Sequence, residues 1–370
     1  SGAMILNDIK LTNFRNYDSL SLSFHPKLNI FIGHNAQGKT NLLEAIYFLS
    51  LAKSHRTSKD KELIQFDSEE AYINGSITTQ NSTLPLSISV SKSGKRAKVN
   101  HLESAKLSQY IGHLNTVLFA PEDLNIVKGS PQVRRKFINM ECGQISKIYL
   151  NQLSSYNKVL AQKNQYLKSR NVDSIMIEVL NEQLAEHASL IILKREQFIS
   201  AIERHASKIH GDISNGRETL KVIYKPNIKY QSSEPKALKE EITALLAENL
   251  SKEIERGTSL VGPHRDDIGF TINDFDVQTY GSQGQQRSTA LSVKLAELEL
   301  IHEEVGEYPV LLLDDVLSEL DEVRQAHLLT SIRNRVQTFV TTTSISDINH
   351  RIMDDMQLFE IENGKIKIDE

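Results

Sequence analysis

Gly33-His34-Asn35-Ala36-Gln37-Gly38-Lys39-Thr40 fits the pattern G-x-x-x-x-G-K-[ST], and its flanks fit the context that this pattern needs. Before it, Leu28-Asn29-Ile30-Phe31-Ile32 reads as a buried strand. After it, Thr40 to Leu51 carries Leu42, Leu43, Ile46 and Leu49 at helical spacing. Glycines let the backbone curl until successive N–H groups point at phosphates, and the helix N-terminus adds positive potential. Lys39 would then reach the β- and γ-phosphates and the Thr40 hydroxyl would ligate Mg²⁺. A plain glycine turn accounts for the glycines but not for a strand before and a helix after. All eight residues are expected to bind ATP.

Further along, Val310-Leu311-Leu312-Leu313-Asp314-Asp315 reads as a buried parallel strand ending in two carboxylates. Ligands of such sheets bind at the carboxyl ends of the strands, where the phosphate loop also sits. Asp314 is expected to hold Mg²⁺ and Asp315 to polarise the attacking water as general base. The bland alternative is a helix cap with a surface neighbour. Between these motifs, Tyr280-Gly281-Ser282-Gln283-Gly284-Gln285-Gln286-Arg287 opens a helix with Leu291, Leu295, Leu298 and Ile301 on one face. Taken alone, that opening is an ordinary glycine-containing cap. Placed between a phosphate loop and an acidic strand end, its order matches the head domains of ATP-binding-cassette ATPases. In those heads, the serine and helix start of one subunit contact the γ-phosphate held by another.

Composition agrees with a globular protein: 370 residues, 39% hydrophobic and 24% charged. A net charge of −4 argues against a uniformly basic nucleic-acid binder, but the charge is unevenly spread. Ser130 to His210 has 12 Lys/Arg against 7 Asp/Glu, whereas Glu297 to His327 has 10 acids against one base. Both runs also suit solvated helix faces. A local basic surface can still bind a phosphate backbone. The one cysteine, Cys142, cannot form an internal disulfide and fits a reducing compartment. No run is apolar enough to span a bilayer and no signal-peptide core is visible, so a soluble, cytoplasmic protein is expected, with no membrane partner. Ser1-Gly2-Ala3 ahead of Met4 reads as a cloning remnant.

Periodicity along the chain gives a hairpin and strand from Leu6 to Ile32, with turns at Asn16-Tyr17-Asp18 and His25-Pro26-Lys27. Strands follow from Ala71 to Val99 around a basic turn at Ser93-Gly94-Lys95. Helical spacing runs from Arg134 to about His210, broken at Asn171-Val172-Asp173 into an antiparallel hairpin. Strands at 219–229 and 268–272 flank a helix at 236–256. A long helix after Gly284, a helix at 322–336, a strand at 338–342 and a hairpin through Asn363-Gly364 complete the chain. The expected fold is an α/β, ABC-type P-loop ATPase head (lobe I, residues 1–130 and 257–370) interrupted by an inserted, mostly helical lobe II (131–256).

Several segments taken together resemble the RecF family of bacterial recombination-mediator ATPases, from Met4 to Glu370. They are Asn13-Phe14-Arg15-Asn16-Tyr17, Gly38–Ile46, Pro121-Glu122-Asp123, Gly129-Ser130-Pro131, Arg134–Phe137, Gly262–Asp267 and Asp314–Asp321. The resemblance implies a homodimer formed on ATP, binding of double-stranded DNA or single-strand/duplex junctions, and work with RecR and RecO to load RecA at gaps. By residue, it implies that Gly33–Thr40 is the Walker A loop and Asp314 the Walker B magnesium residue. Ser282, Gly284 and Gln285 become the signature, and Ser318–Asp321 the D-loop facing the partner. Lys39, Asp314, Asp315 and Ser282 form the catalytic set. Two departures stand out. Cassette heads usually have Glu where this chain has Asp315, one methylene shorter, which predicts slow hydrolysis. The expected switch histidine is replaced by Thr341-Thr342-Thr343-Ser344.

For DNA phosphates the candidates are Lys92, Lys95, Arg96 and Lys98; Arg134, Arg135 and Lys136; and Lys53, His55, Arg56 and Lys59. Arg15 and Arg56 could equally serve the nucleotide. Among rival classes, a transporter ATPase would carry its signature roughly 100 residues after the phosphate loop, whereas Gly33 to Gly284 is 251 residues. A chromosome-structuring ATPase would need a long heptad insert, and a small-molecule kinase would not need Ser282-x-Gly284-Gln285. A nucleotide-dependent DNA-binding module without hydrolysis remains the strongest alternative.

Overall fold

The computed structural model describes residues 2–34, 36–80, 82–169, 171–344, 355–362 and 365–369. The chain divides into two units, Ser1–Leu124 with Ala290–Glu370, and Asn125–Thr289.

In the first unit, β1 (Ile5–Phe14) and β2 (Tyr17–Ser23) pair as an antiparallel hairpin. Its turn is Arg15-Asn16, one residue earlier than the turn signal suggested. β3 (Leu28–Ile32) leads through the glycine loop into α1 (Ala36–Leu51), so the helix starts inside the motif rather than at Thr40. β4 (Glu70–Thr78), β5 (Thr83–Ser91), β6 (Gly94–Val99) and β7 (Leu102–Glu103) extend the hairpin into an antiparallel sheet in the order β2-β1-β4-β5-β6-β7. Alternation directs its strands: Leu86, Ile88 and Val90 are buried while Ser87, Ser89 and Ser91 point the other way. A short helix α2 (Leu107–Tyr110) and a strand β8 (Thr116–Phe119) follow, neither of them read from the sequence.

The second unit holds α3 (Pro131–Ile145), α4 (Lys147–Leu167) and α5 (Ser174–Ile213). The turn predicted at Asn171-Val172-Asp173 is there, and Asp173 caps α5 by accepting from the Ile175 N–H at 3.0 Å. β9 (Leu220–Lys225), α6 (Pro235–Glu248) and α7 (Leu250–Arg256) come next. The single helix expected at 236–256 is thus broken at Asn249. β10 (Asp267–Ile272), β11 (Phe275–Asp276), α8 (Val277–Tyr280) and the start of α9 (Gln283–Val305) close the unit. β10 pairs antiparallel with β9, Ile268 opposite Tyr224. That pairing ties residues 257–289 to the helical unit, whereas the sequence reading had grouped them with the C-terminal part of the head. The unit boundary falls within α9.

The first unit then resumes with β12 (Val310–Asp314), α10 (Glu322–Ile332), β13 (Thr338–Thr342), β14 (Gln357–Glu362) and β15 (Lys365–Asp369). Asn363-Gly364, the predicted turn between the last two strands, lies outside the described residues. The second sheet runs β15-β14-β3-β13-β12-β8, parallel except for β15. Parallel strands covered on both faces read as unbroken apolar runs, as Val310–Leu313 does. α1 touches strands of both sheets. This explains why Leu42, Leu43, Ala45, Ile46, Phe48 and Leu49 are all fully buried, with no polar face. Beneath the parallel sheet Phe31 stacks on Phe359 at 4.7 Å and Phe24 meets Phe339 edge-on at 4.8 Å. Among the described residues no helix is long and apolar enough to cross a membrane, and Cys142 is a buried free thiol.

Candidate nucleotide-binding site

Register decides the site. Asp314 on β12 lies opposite Thr341 on β13, and Thr341 lies opposite Phe31 on β3. Leu313 lies opposite Phe119 on β8. Four parallel strands therefore end in one row, and the phosphate loop leaves from the same row. Gly33 packs so tightly on β14 that a Cβ there would sit 2.8 Å from the Ile361 carbonyl, and one at Gly38 would sit 3.3 Å from Ile361 Cγ2. Glycine is thus required by packing at Gly33, and at Gly38 a side chain would be tight against Ile361. The buried Tyr17 hydroxyl donates to the Gly38 carbonyl at 2.8 Å, and burial raises its pKa, so it stays a donor. Lys39 is buried at 1% exposure, and His34 is exposed. Asn35 lies outside the described residues, as do the side chains of Ala36 and Gln37.

Thr40 and Asp314 meet as the motifs require: the Thr40 hydroxyl is 3.3 Å from Asp314 Oδ1. Thr341 donates to the same oxygen at 2.9 Å and accepts the Asp315 N–H at 2.9 Å. Asp315 is thereby held at φ 54°, a left-handed conformation costing roughly 1 kcal/mol in a residue with a Cβ. Burial raises the pKa of Asp314; the Thr341 and Thr40 hydroxyls oppose this, and the charges of Glu122 and Asp315 add to it. A hydroxyl beside a carboxylate whose charge is costly when alone suits a hard divalent cation, so Thr40 and Asp314 fit as Mg²⁺ ligands. On the far oxygen, His55 Nε2 stands 3.9 Å from Asp314 Oδ2.

Behind the loop, the fully buried Glu44 of α1 gathers the neighbouring arginines. Arg15 grips it with two bonds of 2.8 and 2.9 Å, and Ser54 donates at 2.6 Å. Arg56 reaches Glu44 at 3.3 Å and Asn41 at 2.5 Å. An acid buried on a helix must find cations. That signal in Leu42-Leu43-Glu44-Ala45-Ile46 went unread, as did Thr341 as the group that bridges the two aspartates. His55, expected among the DNA contacts, stands beside Asp314 instead.

In the second unit, Ser282 and Gln285 form a reciprocal cap on α9. The Gln285 N–H donates to Ser282 Oγ at 3.1 Å, and the Ser282 N–H donates to Gln285 Oε1 at 2.9 Å. The segment is thus an ordinary helix cap, and it leaves Ser282 exposed at the helix start with Gly284 two residues further on. Gln285 also donates to Glu218 at 2.9 Å, whose other oxygen lies 2.8 Å from Nε2 of the buried His210 at the end of α5. The signature segment is thus built onto the longest helix of its unit.

The basic candidates separate by burial. Arg134 is 2% exposed; it pairs with Asp267 at 2.6 Å and donates to the Ile126, Val127 and Gly129 carbonyls at 3.0, 3.1 and 2.6 Å. Arg135 donates to the Asp266 carbonyl at 2.8 Å. Lys95 is tied to Asp60 at 2.9 Å and to the Ala52 carbonyl at 2.8 Å. Arg134 and Lys95 are structural groups turned inward, not surface cations. The same holds for Gly262–Asp267. Asp266 accepts from Tyr224, His264 Nδ1 lies 2.7 Å from the Tyr156 hydroxyl, and a Cβ on Gly262, at φ 140°, would strike that hydroxyl at 2.2 Å. Lys53, Lys59, Lys92, Arg96, Lys98 and Lys136 remain exposed.

Residues 5–367 match the family model of the RecF/RecN/SMC N-terminal domain. The chain is 58% identical over 370 residues to the DNA replication and repair protein RecF of Staphylococcus epidermidis, covering 98% of this chain and 100% of that one. It superposes on a solved structure of the recombination mediator protein RecF with ATP with a TM-score of 0.90 at 36% identity, covering 100% of this chain and 98% of the other. A solved SMC head bound to the C-terminal winged-helix domain of ScpA, 15% identical, shares the fold with a TM-score of 0.55 over 98% of this chain and 97% of that one. With this ABC-type head and these matches along its whole length, the chain belongs to the RecF family.

Proposed function

We propose that this chain acts as the recombination mediator its family describes: an ATP-dependent, DNA-binding switch in the repair of post-replication gaps. The observation that carries the reading is the meeting of Thr40, near the start of α1, with Asp314 at the end of β12, beside a buried Lys39. The matched structure holds ATP, and the residues here suit the same ligand with Mg²⁺. Lys39 and the loop N–H groups bind the phosphates, Thr40 and Asp314 hold the ion, and Asp315 orients the attacking water. Mg²⁺, when bound, neutralises charge developing on the phosphates. Ser282, Gly284 and Gln285 of one copy close on the γ-phosphate held by another. The closed dimer binds double-stranded DNA or a single-strand/duplex junction and, with RecO and RecR, promotes RecA loading. The exposed cations Lys53, Lys59, Lys92, Arg96, Lys98 and Lys136 are the remaining candidates for the phosphate backbone, which predicts steep salt dependence and little sequence preference.

Turnover separates this reading from a module that binds ATP without hydrolysing it. Phosphate release is measured with and without gapped DNA for the wild type, Lys39→Met and Asp315→Asn. The expected outcome is slow hydrolysis stimulated by DNA, no nucleotide binding in Lys39→Met, and intact binding in Asp315→Asn with turnover at least about tenfold slower. A wild type that binds ATP, shows no turnover on DNA and is unaffected by Asp315→Asn would leave the non-hydrolysing module.

A further inference from the structure

We infer that Thr341 is a positioning residue for hydrolysis: its hydroxyl sets where Asp315 stands, so that its loss slows turnover and spares nucleotide binding. This rests on the reading above of Asp315 as the residue that orients the attacking water. A strand directs successive side chains to opposite faces, so an unbroken β12 would send Asp314 and Asp315 apart. The chain leaves that course at the second aspartate. β12 pairs with β13 as far as Asp314, opposite Thr341, and Asp315 then takes φ 54°. The charge of Asp315 still acts on Asp314 and raises its pKa, so the two carboxylates stay within one another's field. A left-handed backbone is disfavoured in a residue with a Cβ and persists only where its surroundings hold it.

Thr341 supplies that hold. The Asp315 N–H reaches the Thr341 carbonyl at 3.2 Å and the Thr341 hydroxyl oxygen at 2.9 Å. A hydroxyl has a single proton to donate, and this one goes to Asp314 Oδ1 at 2.9 Å. The direction of the chain of bonds is thereby fixed, from the Asp315 amide through the Thr341 hydroxyl to the Asp314 carboxylate, and each bond polarises the next. Thr341 is 1% exposed and its branched Cβ restricts rotation, so the hydroxyl is itself held in place. Asp314 Oδ1 has a second partner in the Thr40 hydroxyl at 3.3 Å, which anchors it when Thr341 is changed. For the Asp315 N–H, the longer bond to the carbonyl would be left. Removal of the hydroxyl therefore falls mainly on Asp315. Nucleotide binding is assigned above to Lys39 and the loop N–H groups, not to this chain of bonds.

Phosphate release on gapped DNA and affinity for a non-hydrolysable ATP analogue, both with Mg²⁺, are measured on the intact chain. The variants are Thr341→Val, Thr341→Ala and Thr341→Ser beside the wild type. Valine keeps the shape and deletes the hydroxyl; alanine deletes it too and stands in for a valine variant that folds poorly. Both are expected to bind the analogue within about threefold of the wild type and to turn over about tenfold more slowly, the effect of one hydrogen bond lost from the transition state. Thr341→Ser, which restores the hydroxyl, should recover most of the rate. Because Thr341 acts through Asp315, adding Thr341→Val to Asp315→Asn should slow turnover by less than about twofold more. Unchanged turnover without the hydroxyl overturns the inference. So does an affinity for the analogue that falls as far as turnover, which would mark the hydroxyl as support for Asp314 and its cation, or a full additional loss in the double variant. A wild type that binds the analogue and shows no turnover would instead remove the reading of Asp315, and this inference with it.

Discussion

Asp314 is held by two hydroxyls and a buried setting that penalises its charge. Its pKa is raised by burial, so in the nucleotide-free protein the ionised carboxylate costs stability that protonation restores. That contribution is complete below the ordinary carboxylate range and is lost as pH rises through the folded pKa. At pH 7.5 the charge is a liability awaiting a cation. Asp314→Asn is therefore expected to raise the melting temperature of the nucleotide-free protein by roughly 2 °C, while abolishing the Mg²⁺-dependent part of the stabilisation by ATP. Differential scanning calorimetry with and without Mg·ATP checks both. A melting temperature that falls without ligand would contradict the charge argument. Thr40 and Asp314 were legible in the sequence as candidates that meet, because each motif carries its own spacing and its own flanks. Thr341, Glu44 and His55 were not, because their roles arise only when distant segments come together. Arg134 was misread for a related reason: sequence shows a cation, whereas only the fold shows the Asp267 carboxylate and the three carbonyls that enclose it.

At the scale of elements, the buried polar core of the helical unit links α3, α4, α5, α7 and the segment leading into β10. Arg195 of α5 donates to Tyr149 at 3.0 Å, to Asn139 at 2.9 Å and to the Pro263 carbonyl at 2.8 Å. Lys163 and Glu253 form a fully buried pair at 2.9 Å. His264 belongs to this core, and burial lowers its pKa to about 4, with Arg265, Lys163 and Arg135 adding repulsion. Because the unfolded chain takes up the proton near pH 6.5, this stability is complete above that value. It is lost as pH falls toward 4, by roughly 3 kcal/mol over the window. Urea unfolding of the full chain between pH 7.5 and 4.5, followed by α-helical circular dichroism, should show that loss, and His264→Gln should flatten it. An identical pH profile in the variant would remove His264 as its source. The helices of this unit were readable from their 3.6-residue period. The attachment of 257–289 was not, since the partner of β10 is β9, some forty residues earlier, and no local pattern announces a pairing of that kind. β8 was missed because four residues are too few to show a period.

For the whole molecule, the two halves of the expected chemistry lie in different units: the phosphate loop and Asp314 in one, Ser282 to Gln285 in the other. A site completed by a second copy needs Ser282 exposed at a helix start, which is how it stands. A bulky cation there would block closure without touching the phosphate loop, so Ser282→Arg should bind ATP normally and fail to dimerise. The fold class and the order of the motifs were visible in the sequence because they depend on local runs of residues; the division at 124/125 and 289/290 depends on packing and was not. The most direct test is light-scattering mass of the wild type, Ser282→Arg and Asp315→Asn, with and without Mg·ATP and gapped DNA. The account predicts a monomer that becomes a dimer with Mg·ATP, a longer-lived dimer in Asp315→Asn, and none in Ser282→Arg. A wild-type mass unchanged by Mg·ATP, or a Ser282→Arg protein that dimerises as the wild type does, would contradict it.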